Sequence, residues 1–167
     1  QFFPSYGCVI MASGLGKRFG GNKLMADFKG KPLIEHILDT AKDVFEKLVV
    51  VTRSRDVETL CKRNNIDVIF HEYPNRNDTV RLGTTYMKEM EACVFCPSDQ
   101  PLLNKRTLQK MRNAFSFEEL EIIRLAYGEE QGTPILFAQK YFEELKLYKD
   151  LYNFEMLFHQ FRSRFQE

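Results

Sequence analysis

A glycine-rich loop with interspersed cations lies near the start of the chain. Residues 8–23 read CVIMASGLGKRFGGNK, an apolar run followed by glycines and the cations Lys17, Arg18 and Lys23. Glycine lets backbone N–H groups approach an anion closely, and the cations neutralise its charge. The loop therefore predicts a phosphate cradle, although a plain surface turn with solvated charges would have a similar composition.

This loop matches neither of the two common phosphate-binding patterns. A dinucleotide-binding loop needs G-x-G-x-x-G, but Phe19 stands where the third glycine belongs. A Walker A loop needs Gly-Lys-Ser/Thr, but Asn22 separates Gly21 from Lys23. The position of the loop after the first apolar strand still favours a ligand site, because open α/β sheets bind ligands at the carboxyl ends of strands.

A single carboxylate, Asp99, follows another apolar run further along the chain. It lies in the segment CPSDQPLL, which extends from Cys96 to Leu103. In phosphate chemistry Mg²⁺ is held by one or two carboxylates, while phosphates and water supply the other ligands. Asp99 is therefore the candidate Mg²⁺ ligand. An aspartate in this context also suits a turn, so a purely structural role is the alternative.

Strand-like and helix-like segments alternate along the chain, which predicts an α/β fold with a mostly parallel sheet. Six strands are predicted, at residues 8–11, 48–52, 66–70, 92–96, 120–127 and 132–138. Five helices are predicted, at 31–45, after Ser54, from Asp78 or Thr79 through Met90, at 104–115 and at 139–147. The tail from Asp150 is predicted to be helical. One strand is expected to run antiparallel to the others.

The length and composition narrow the class of protein. A chain of 167 residues predicts one domain, residues 1–167. The net charge of +1 gives no global field for nucleic acid, and no apolar run approaches the ~20 residues that span a bilayer. We therefore expect neither a nucleic-acid nor a membrane partner. Four cysteines in a domain of this size do not form a disulfide framework, so a cytoplasmic protein with reduced thiols is expected.

Two cysteine and histidine patterns are expected to carry no chemistry. Cys93 and Cys96 form a C-x-x-C inside a predicted strand, where residues three apart point to opposite faces. They are predicted to be buried apolar-like residues rather than a redox pair. His36, His71 and His159 are scattered without the spacing of metal ligands, so no histidine metal site is expected.

The first loop also carries a resemblance. Its pattern A-S-G-x-G-x-R-F-G-x-x-K resembles the signature loop of the MobA-like NTP transferases, most closely the molybdenum cofactor cytidylyltransferases. S-D-Q-P-L around Asp99 is similar to their G-D-Q-P-L, with Ser98 in place of the usual glycine, and GTPILF is similar to their G-x-P-x-L-F. R-N-D-T-V-R around Thr79 looks more like the R-x-D-S-V-R segment of the isoprenoid-pathway cytidylyltransferases.

The resemblance implies a fold, a reaction and a set of site residues. The fold would be a three-layer α/β/α Rossmann-like nucleotidyltransferase fold with a mainly parallel mixed sheet. The enzyme would move a nucleotidyl group, CMP first, from an NTP to a phosphate acceptor such as the molybdenum cofactor, and release pyrophosphate. The implied residues are of three kinds: nucleotide-binding Ala12, Ser13, Gly14, Gly16 and Thr79, catalytic Arg18 and Lys23, and the Mg²⁺ ligand Asp99.

Several alternatives stay open at this point. CTP is the first choice of nucleotide, but GTP is possible because Ser13 stands where the molybdenum families have Ala or Gly. The G-D-x-G-A segment of those families is missing from the tail, so the acceptor is open and a sugar- or polyol-phosphate nucleotidyltransferase is the runner-up. A non-catalytic nucleotide-binding module is the rival from another class. The apolar spacing from Phe154 to Phe165 predicts a packing helix or a helix of a homo-oligomer.

Overall fold

The computed structural model describes residues 5–14, 23–100, 103–118, 122–127, 130–147 and 164–166. Its strands are β1 (Tyr6–Ala12), β2 (Asp27–Phe28), β3 (Lys31–Pro32), β4 (Lys47–Thr52), β5 (Asp67–Phe70), β6 (Ala92–Pro97), β7 (Ile122–Tyr127), β8 (Glu130–Ala138) and β9 (Arg164–Gln166). Its α-helices are α1 (Leu33–Ala41), α2 (Arg55–Arg63), α3 (Arg76–Tyr86), α4 (Lys105–Glu118) and α5 (Phe142–Leu147), with 3₁₀ turns at Lys23–Met25 and Gln139–Tyr141. Within these described ranges no helix is long and apolar enough to cross a membrane.

Seven strands form one mixed sheet in the order β5-β4-β1-β6-β8-β7-β9. β1 pairs in parallel with β4 on one side and with β6 on the other, and β4 pairs in parallel with β5. β8 runs antiparallel to both β6 and β7, while β9 is parallel to β7. The expectation of a mainly parallel sheet with one antiparallel strand is therefore confirmed. β2 and β3 form a separate antiparallel pair.

The sequence of β1 explains its central place in the sheet. Six of its seven residues are buried and only Met11 is partly exposed. A near-continuous apolar run is typical of a strand whose two faces are both covered, because alternation would leave one face polar. The parallel neighbours supply the backbone partners that a buried strand requires. β1 is thus the strand against which the two layers of helices pack.

Helices cover both faces of the sheet, which gives three layers. On one face α1, α2 and α4 share an apolar cluster with β1, through Ile34, Leu60 and Leu108 against Cys8 and Ile10. On the other face a second cluster joins α3 and α5 to the remaining residues of β1 and β6. The predicted three-layer α/β/α arrangement is confirmed.

The cysteines lie as the strand pattern predicts. Cys93 and Cys96 belong to the two different apolar clusters, so they point to opposite faces of the sheet. All four cysteines are free and buried, and burial raises the pKa of the Cys61 thiol to about 12. Burial also raises the pKa of the Cys8 and Cys93 thiols well above the ordinary value. Because the thiolate is the nucleophile, these groups are poor candidates for redox chemistry.

Two helix starts differ from the sequence prediction. The first helix begins at Leu33 rather than Lys31, because Pro32 of β3 is still extended, with φ −54° and ψ 141°, and pairs with Asp27 of β2. The third helix starts at Arg76 and is capped by Asn75, not by Asp78 or Thr79. A carboxylate oxygen of Asp78 reaches back to accept the Asn75 N–H at 3.1 Å, which is the capping role of the third helical position.

Two helix ends and the tail also differ from the prediction. The first helix ends at Ala41 and the third at Tyr86, so the expected extensions to Phe45 and Met90 are wrong. The tail was predicted to be helical, but residues 164–166 form a strand that pairs in parallel with β7. A strand here supplies partners for the backbone of β7, which outweighs a helical apolar spacing. Residues 148–163 lie outside the described part of the chain.

Helix α3 packs very closely over β1 at Gly83. A Cβ atom added to Gly83 would lie 2.7 Å and 2.9 Å from the two Cγ atoms of Val9, which is fully buried. A distance under 3 Å is too short for carbon atoms in contact, so a side chain at position 83 would force the helix and the strand apart. Glycine is required here by the space between the two elements.

We expect Gly83→Ala to destabilise the fold by about 1–2 kcal/mol, because overpacking costs about 1–3 kcal/mol and outweighs the better helix propensity of alanine. The free energy of unfolding from urea titration measures the change. Thr85→Ala on the exposed face of the same helix is the control and should change stability little.

The double variant makes this prediction specific to the contact. In a Val9→Ala background the two Cγ atoms are gone, so Gly83→Ala should cost at least 0.5 kcal/mol less than in the wild type, roughly the lower bound for coupled neighbours. An equal cost in both backgrounds would show that Val9 does not set the helix position.

Candidate functional site

The carboxyl ends of four parallel strands meet at one edge of the sheet. Ala12 of β1 is in register with Thr52 of β4, and Thr52 is in register with Phe70 of β5. On the other side Met11 is in register with Pro97 of β6. The residues that follow these strand ends, Ser13, Arg53, His71 and Ser98, are therefore brought to the same edge of the sheet. Open α/β sheets bind ligands at such an edge.

A buried threonine fixes the ends of β1 and β4 relative to each other. The Thr52 hydroxyl donates to the carbonyl oxygen of Ala12 at 2.9 Å and accepts the backbone N–H of Ser54 at 3.0 Å. Thr52 is fully buried. Ser54 in turn caps α2 by accepting the N–H of Val57, as the sequence predicts. The Thr52 hydroxyl thus joins the last residue of β1 to Ser54 at the start of α2.

The first residue of the glycine-rich loop, Ser13, lies at the centre of a hydrogen-bonded cluster. Its Oγ is 2.8 Å from His71 Nε2, and it accepts the hydroxyl of Thr79 at 2.6 Å. Ser13 Oγ also donates to the carbonyl oxygen of Val51 at 3.4 Å. Four elements therefore meet at one oxygen: the ends of β1, β4 and β5 and the first turns of α3.

The tautomer of His71 follows from its second ring nitrogen. The backbone N–H of Tyr73 donates to His71 Nδ1 at 3.1 Å, so Nδ1 is an acceptor and carries no proton in this arrangement. The proton of the neutral ring is then on Nε2, which donates to Ser13 Oγ. Ser13 Oγ therefore accepts two hydrogen bonds and donates one, which is the full capacity of a hydroxyl.

Several neighbours keep the imidazole neutral. Burial is the first cause that lowers the pKa of His71, and the positive charge of Arg53 is the second. The Asp78 carboxylate raises this pKa, whereas Arg81 lowers it. The His71 ring also stacks on Tyr73, with centroids 5.8 Å apart and planes inclined by 25°. His71 is 5% exposed, so its hydrogen bonds are shielded from water.

The α3 side of the site is held by a charge pair and an exposed ring. Arg81 pairs with Asp78 at 3.1 Å, and its guanidinium lies 5.2 Å from the centroid of the Tyr73 ring. Tyr73 is 52% exposed although it is large and apolar. An exposed aromatic ring beside a strand-end site is a surface on which a flat ligand could stack.

The predicted phosphate loop is described at its two ends. Gly14 is exposed, and a Cβ atom added to it would meet nothing within 4 Å. Lys23 begins the 3₁₀ turn Lys23–Met25 and is half-buried. Gly16 and Arg18 lie outside the described residues. The structure therefore gives the positions of Gly14 and Lys23, and the roles of all four residues remain predictions.

The predicted metal ligand, Asp99, lies in a turn directly after β6. Its side chain is exposed, whereas the preceding Ser98 is 6% exposed. Because β6 is the neighbour of β1, the turn and the start of the glycine-rich loop lie at the same edge of the sheet. Among the residues described here, no three His, Cys, Asp or Glu side chains form a metal cluster. Asp99 offers one hard oxygen ligand, which fits Mg²⁺ only when phosphates and water supply the rest.

The sequence predicted two members of the hydrogen-bonded cluster, Ser13 and Thr79, and missed the third, His71. Ser13 and Thr79 were both expected to bind the nucleotide, and the structure brings them into direct contact. His71 was set aside because no other histidine stands at a metal-ligand spacing. Its position directly after the third strand is the signal that could have found it, since residues there reach the carboxyl edge. Asn75 caps the helix and the Asp78 carboxylate completes its capping box, whereas Thr79 takes no part in capping.

The chain resembles known proteins over nearly its whole length. Residues 8–162 match the family described as the MobA-like NTP transferase domain. It is 30% identical over 141 residues to a probable molybdenum cofactor guanylyltransferase of Aquifex aeolicus, covering 83% of this chain and 67% of that protein. It is 28% identical over 120 residues to a 3-deoxy-manno-octulosonate cytidylyltransferase of Parabacteroides distasonis, covering 70% of this chain and 47% of that protein. The chain thus spans about half the length of this second relative.

A solved structure shares the fold. Rv0371c of Mycobacterium tuberculosis superposes with a TM-score of 0.84 at 18% identity, over 100% of this chain and 90% of that one. Its complex with manganese superposes with a TM-score of 0.81 at 18% identity, over 98% of this chain and 88% of that one. At this identity the likeness establishes the fold alone. It agrees with the three-layer architecture described above.

The clamp at Thr52 gives a testable prediction about the scaffold of the site. We expect Thr52→Val to lower stability by about 1–3 kcal/mol, because two buried polar groups lose their partner while the side-chain volume is kept. For a chain of this size each kcal/mol lowers Tm by roughly 2–4 °C, which differential scanning calorimetry measures.

Thr59→Val is the matched control for this substitution. The Thr59 hydroxyl donates to Arg55 O at 3.0 Å on the exposed face of α2, where water can replace the lost bond. Its Tm should change by less than half as much. An equal drop in the two variants would contradict the clamp.

Proposed function

This chain belongs to the family of MobA-like NTP transferase domains, and on that premise we propose that it transfers a nucleotidyl group from an NTP to a phosphate of a small molecule, releasing pyrophosphate. The observation that carries the proposal is the carboxyl edge of the sheet, where Ser13 and Thr79 meet directly beside the start of the glycine-rich loop. The alternative, a non-catalytic nucleotide-binding module, would keep the loop without needing Lys23 and Asp99. Substitution of those two residues therefore distinguishes the enzyme from the binding module.

The nucleoside end of the NTP is assigned to the cluster around Ser13. Ala12 is the last residue of β1 and Ser13 follows it, so their backbone leads from the buried strand into the loop. Thr79 is 5% exposed and its hydroxyl is 2.6 Å from Ser13 Oγ. The two hydroxyls form a small polar surface at the carboxyl edge of the sheet. Hydroxyl groups in such a place can orient a base or a ribose by hydrogen bonds.

The phosphate end is assigned to the loop and its cations. Backbone N–H groups from Gly14 to Gly16 would hold the β- and γ-phosphates, together with Arg18. Lys23 follows the loop at the start of a 3₁₀ turn, and we assign to it the charge that develops at the α-phosphate. A fixed cation stabilises such a transition state because it needs no reorganisation at the moment of reaction.

The divalent cation is assigned to Asp99. The exposed carboxylate follows β6, beside the strand that leads into the phosphate loop, and hard oxygen ligands of this kind suit Mg²⁺. When bound, the cation neutralises charge on the phosphates and supplies Lewis-acid assistance. The role of the protein residues is to place the acceptor phosphate in line with the α-phosphorus, which is largely a matter of position and charge.

CTP is the nucleotide that we assign first. This choice is supported by the Thr79 segment, which is similar to that of the isoprenoid-pathway cytidylyltransferases. GTP is the second candidate, because the relative that is 30% identical to this chain is a probable molybdenum cofactor guanylyltransferase. That relative also makes the molybdenum cofactor the first acceptor to test. The cytidylyltransferase relative acts on a sugar acid, so sugar phosphates and sugar acids belong in the same screen.

The choice of nucleotide can be tested by ligand-induced stabilisation. With Mg²⁺ present and each NTP at about 100 times its Kd, the bound state should gain about 2.7 kcal/mol, which is several degrees in Tm for this size. At equal concentrations below saturation, CTP should raise Tm more than GTP, ATP or UTP. A larger shift with GTP would reverse the assignment, and no shift with any of the four would contradict NTP binding itself.

Substitution of Lys23 and Asp99 separates the enzyme from the binding module. Lys23→Ala should lower kcat by about 10²–10³, as loss of one preorganised electrostatic contact does, with a smaller effect on NTP affinity. Asp99→Asn should abolish turnover at ordinary Mg²⁺ and partly recover at high Mg²⁺, because the phosphates supply other ligands. Pyrophosphate release across a Mg²⁺ titration, with the acceptor screen present, is the measurement.

Lys42→Ala and Asp43→Asn are matched controls for these two variants. Both residues are exposed and follow α1, at the end of the sheet opposite to the site, so pyrophosphate release should stay at the wild-type level. Near wild-type turnover in Lys23→Ala and Asp99→Asn would show that the site is assigned wrongly. A wild type that binds NTP but releases no pyrophosphate with any acceptor would favour the binding module.

A further inference from the structure

His71 takes part in the site without belonging to any of the motifs that suggested it. Its ring is 5% exposed and joins two different partners, Ser13 through Nε2 at 2.8 Å and the Tyr73 backbone through Nδ1 at 3.1 Å. Its own backbone N–H donates to the carbonyl oxygen of Thr52 at 3.0 Å, so the residue is fixed at both backbone and side chain. A buried ring with all its polar atoms in use has one orientation.

The direction of each hydrogen bond can be followed outward from the ring. Because Nδ1 accepts from Tyr73, Nε2 carries the proton and donates to Ser13 Oγ. The proton of Ser13 goes to the carbonyl oxygen of Val51, at 3.4 Å. The Thr79 hydroxyl then donates its only proton to Ser13, at 2.6 Å. What Thr79 has left for a ligand is its oxygen lone pairs, so it faces the nucleotide as an acceptor.

We infer that His71 is a positioning residue of the nucleotide site, which fixes Ser13 and through it makes the Thr79 hydroxyl an acceptor for a base that carries an amino group. This inference rests on the proposed function, because it assigns a task to His71 in NTP binding. An acceptor at this point favours cytosine over uracil, since cytosine has an N–H donor where uracil has a carbonyl oxygen. His71 does not touch the nucleotide and acts only through the two hydroxyls.

Protonation of His71 would break the hydrogen bond at Nδ1, although Nε2 would still donate to Ser13. A proton on Nδ1 would face the Tyr73 N–H, which is also a donor, and the two would repel. The charged groups that face the ring are Arg53 after β4 and Asp78 and Arg81 on α3, and Tyr73 stacks on it. Burial and the two arginines together outweigh Asp78, so the pKa of His71 lies below its ordinary value of 6.5.

The sign of the pH dependence follows from this direction. The folded protein binds the proton of His71 less readily than the unfolded chain does. The contribution of the neutral ring is therefore fully present above pH 6.5 and is lost as the pH falls through 6.5 toward the lower folded pKa. Nucleotide affinity depends on the folded protein alone, so it should weaken as the pH falls through the folded pKa of His71, which lies below 6.5.

Calorimetric titration with CTP and Mg²⁺ at a series of pH values downward from 7.5 tests the inference. The Kd of the wild type should rise by about 5- to 10-fold once the pH lies below the lowered pKa of His71, as expected for the loss of about one hydrogen bond. His71→Gln should bind within about 3-fold of the wild type at pH 7.5 and respond little to pH, because an amide nitrogen can replace Nε2 and does not titrate. His71→Ala should bind about 5- to 10-fold more weakly already at pH 7.5.

His36→Gln is the matched control. The His36 ring bonds the carbonyl oxygen of Phe28 at 2.6 Å, away from the cluster, so this variant should keep both the affinity and the pH response of the wild type. In the wild type, nitrogen NMR of the His71 ring should show the proton on Nε2 at pH 7.5. UTP should bind more weakly than CTP in the wild type, and His71→Ala should reduce that preference.

The possible outcomes separate the two proposals. CTP affinity that is unchanged in His71→Ala, or a ring proton on Nδ1 at neutral pH, would overturn the role of His71 and leave the proposed function standing. A pH response that persists in His71→Gln would also overturn it. Absence of binding by the wild type with CTP, GTP, ATP and UTP alike would overturn the proposed function, and the NMR tautomer would then still decide how the ring is bonded.

Discussion

The structure depends on β1 being paired in parallel on both sides. Because β4 and β6 run in the same direction as β1, their chains leave the sheet at the same edge, and Thr52 and Pro97 end beside Ala12 and Met11. This pairing requires a strand that is apolar on both faces, which the sequence of β1 supplies. Helix α3 packs on β1 so closely that only glycine fits at position 83. The core and the candidate site are thus fixed by one set of backbone hydrogen bonds.

At that edge the hydrogen bonds are directional, and the direction has chemical consequences. The backbone N–H of Tyr73 donates to His71 Nδ1, and His71 Nε2 donates to Ser13 Oγ. The Thr79 hydroxyl donates to the same Ser13 oxygen. Buried polar groups that are fully paired hold one geometry, because any other leaves a donor or an acceptor without a partner. The site therefore has a defined pattern of acceptors before a ligand arrives. Preorganisation of this kind reduces the entropy lost on binding.

Much of the fold could be predicted from local patterns, because those patterns act over a few residues. Ser54 caps its helix as predicted, and the alternation of strands and helices gave the parallel sheet with its one antiparallel member. Pro32 could not be placed, since pairing with Asp27 in a short hairpin decides between a helix start and a strand. The strand at 164–166 forms because β7 needs a backbone partner, which is a property of the assembled sheet. His71 was missed for the same kind of reason, because its partner Ser13 lies 58 residues away in the sequence. Its other partner is the backbone N–H of Tyr73, two residues later.

The central claim is that one nucleotide spans this edge, with its base at the Ser13 cluster and its phosphates along the glycine-rich loop toward Asp99. The most direct measurement is a crystal structure of the protein with Mg²⁺ and a CTP analogue that cannot be hydrolysed between the α- and β-phosphorus atoms. We expect the Thr79 hydroxyl oxygen within hydrogen-bond distance of the cytosine amino group, and the cation bound to Asp99 and to the phosphates. A nucleotide bound elsewhere on the protein, or a base turned away from Thr79 with the cation off Asp99, would contradict the account.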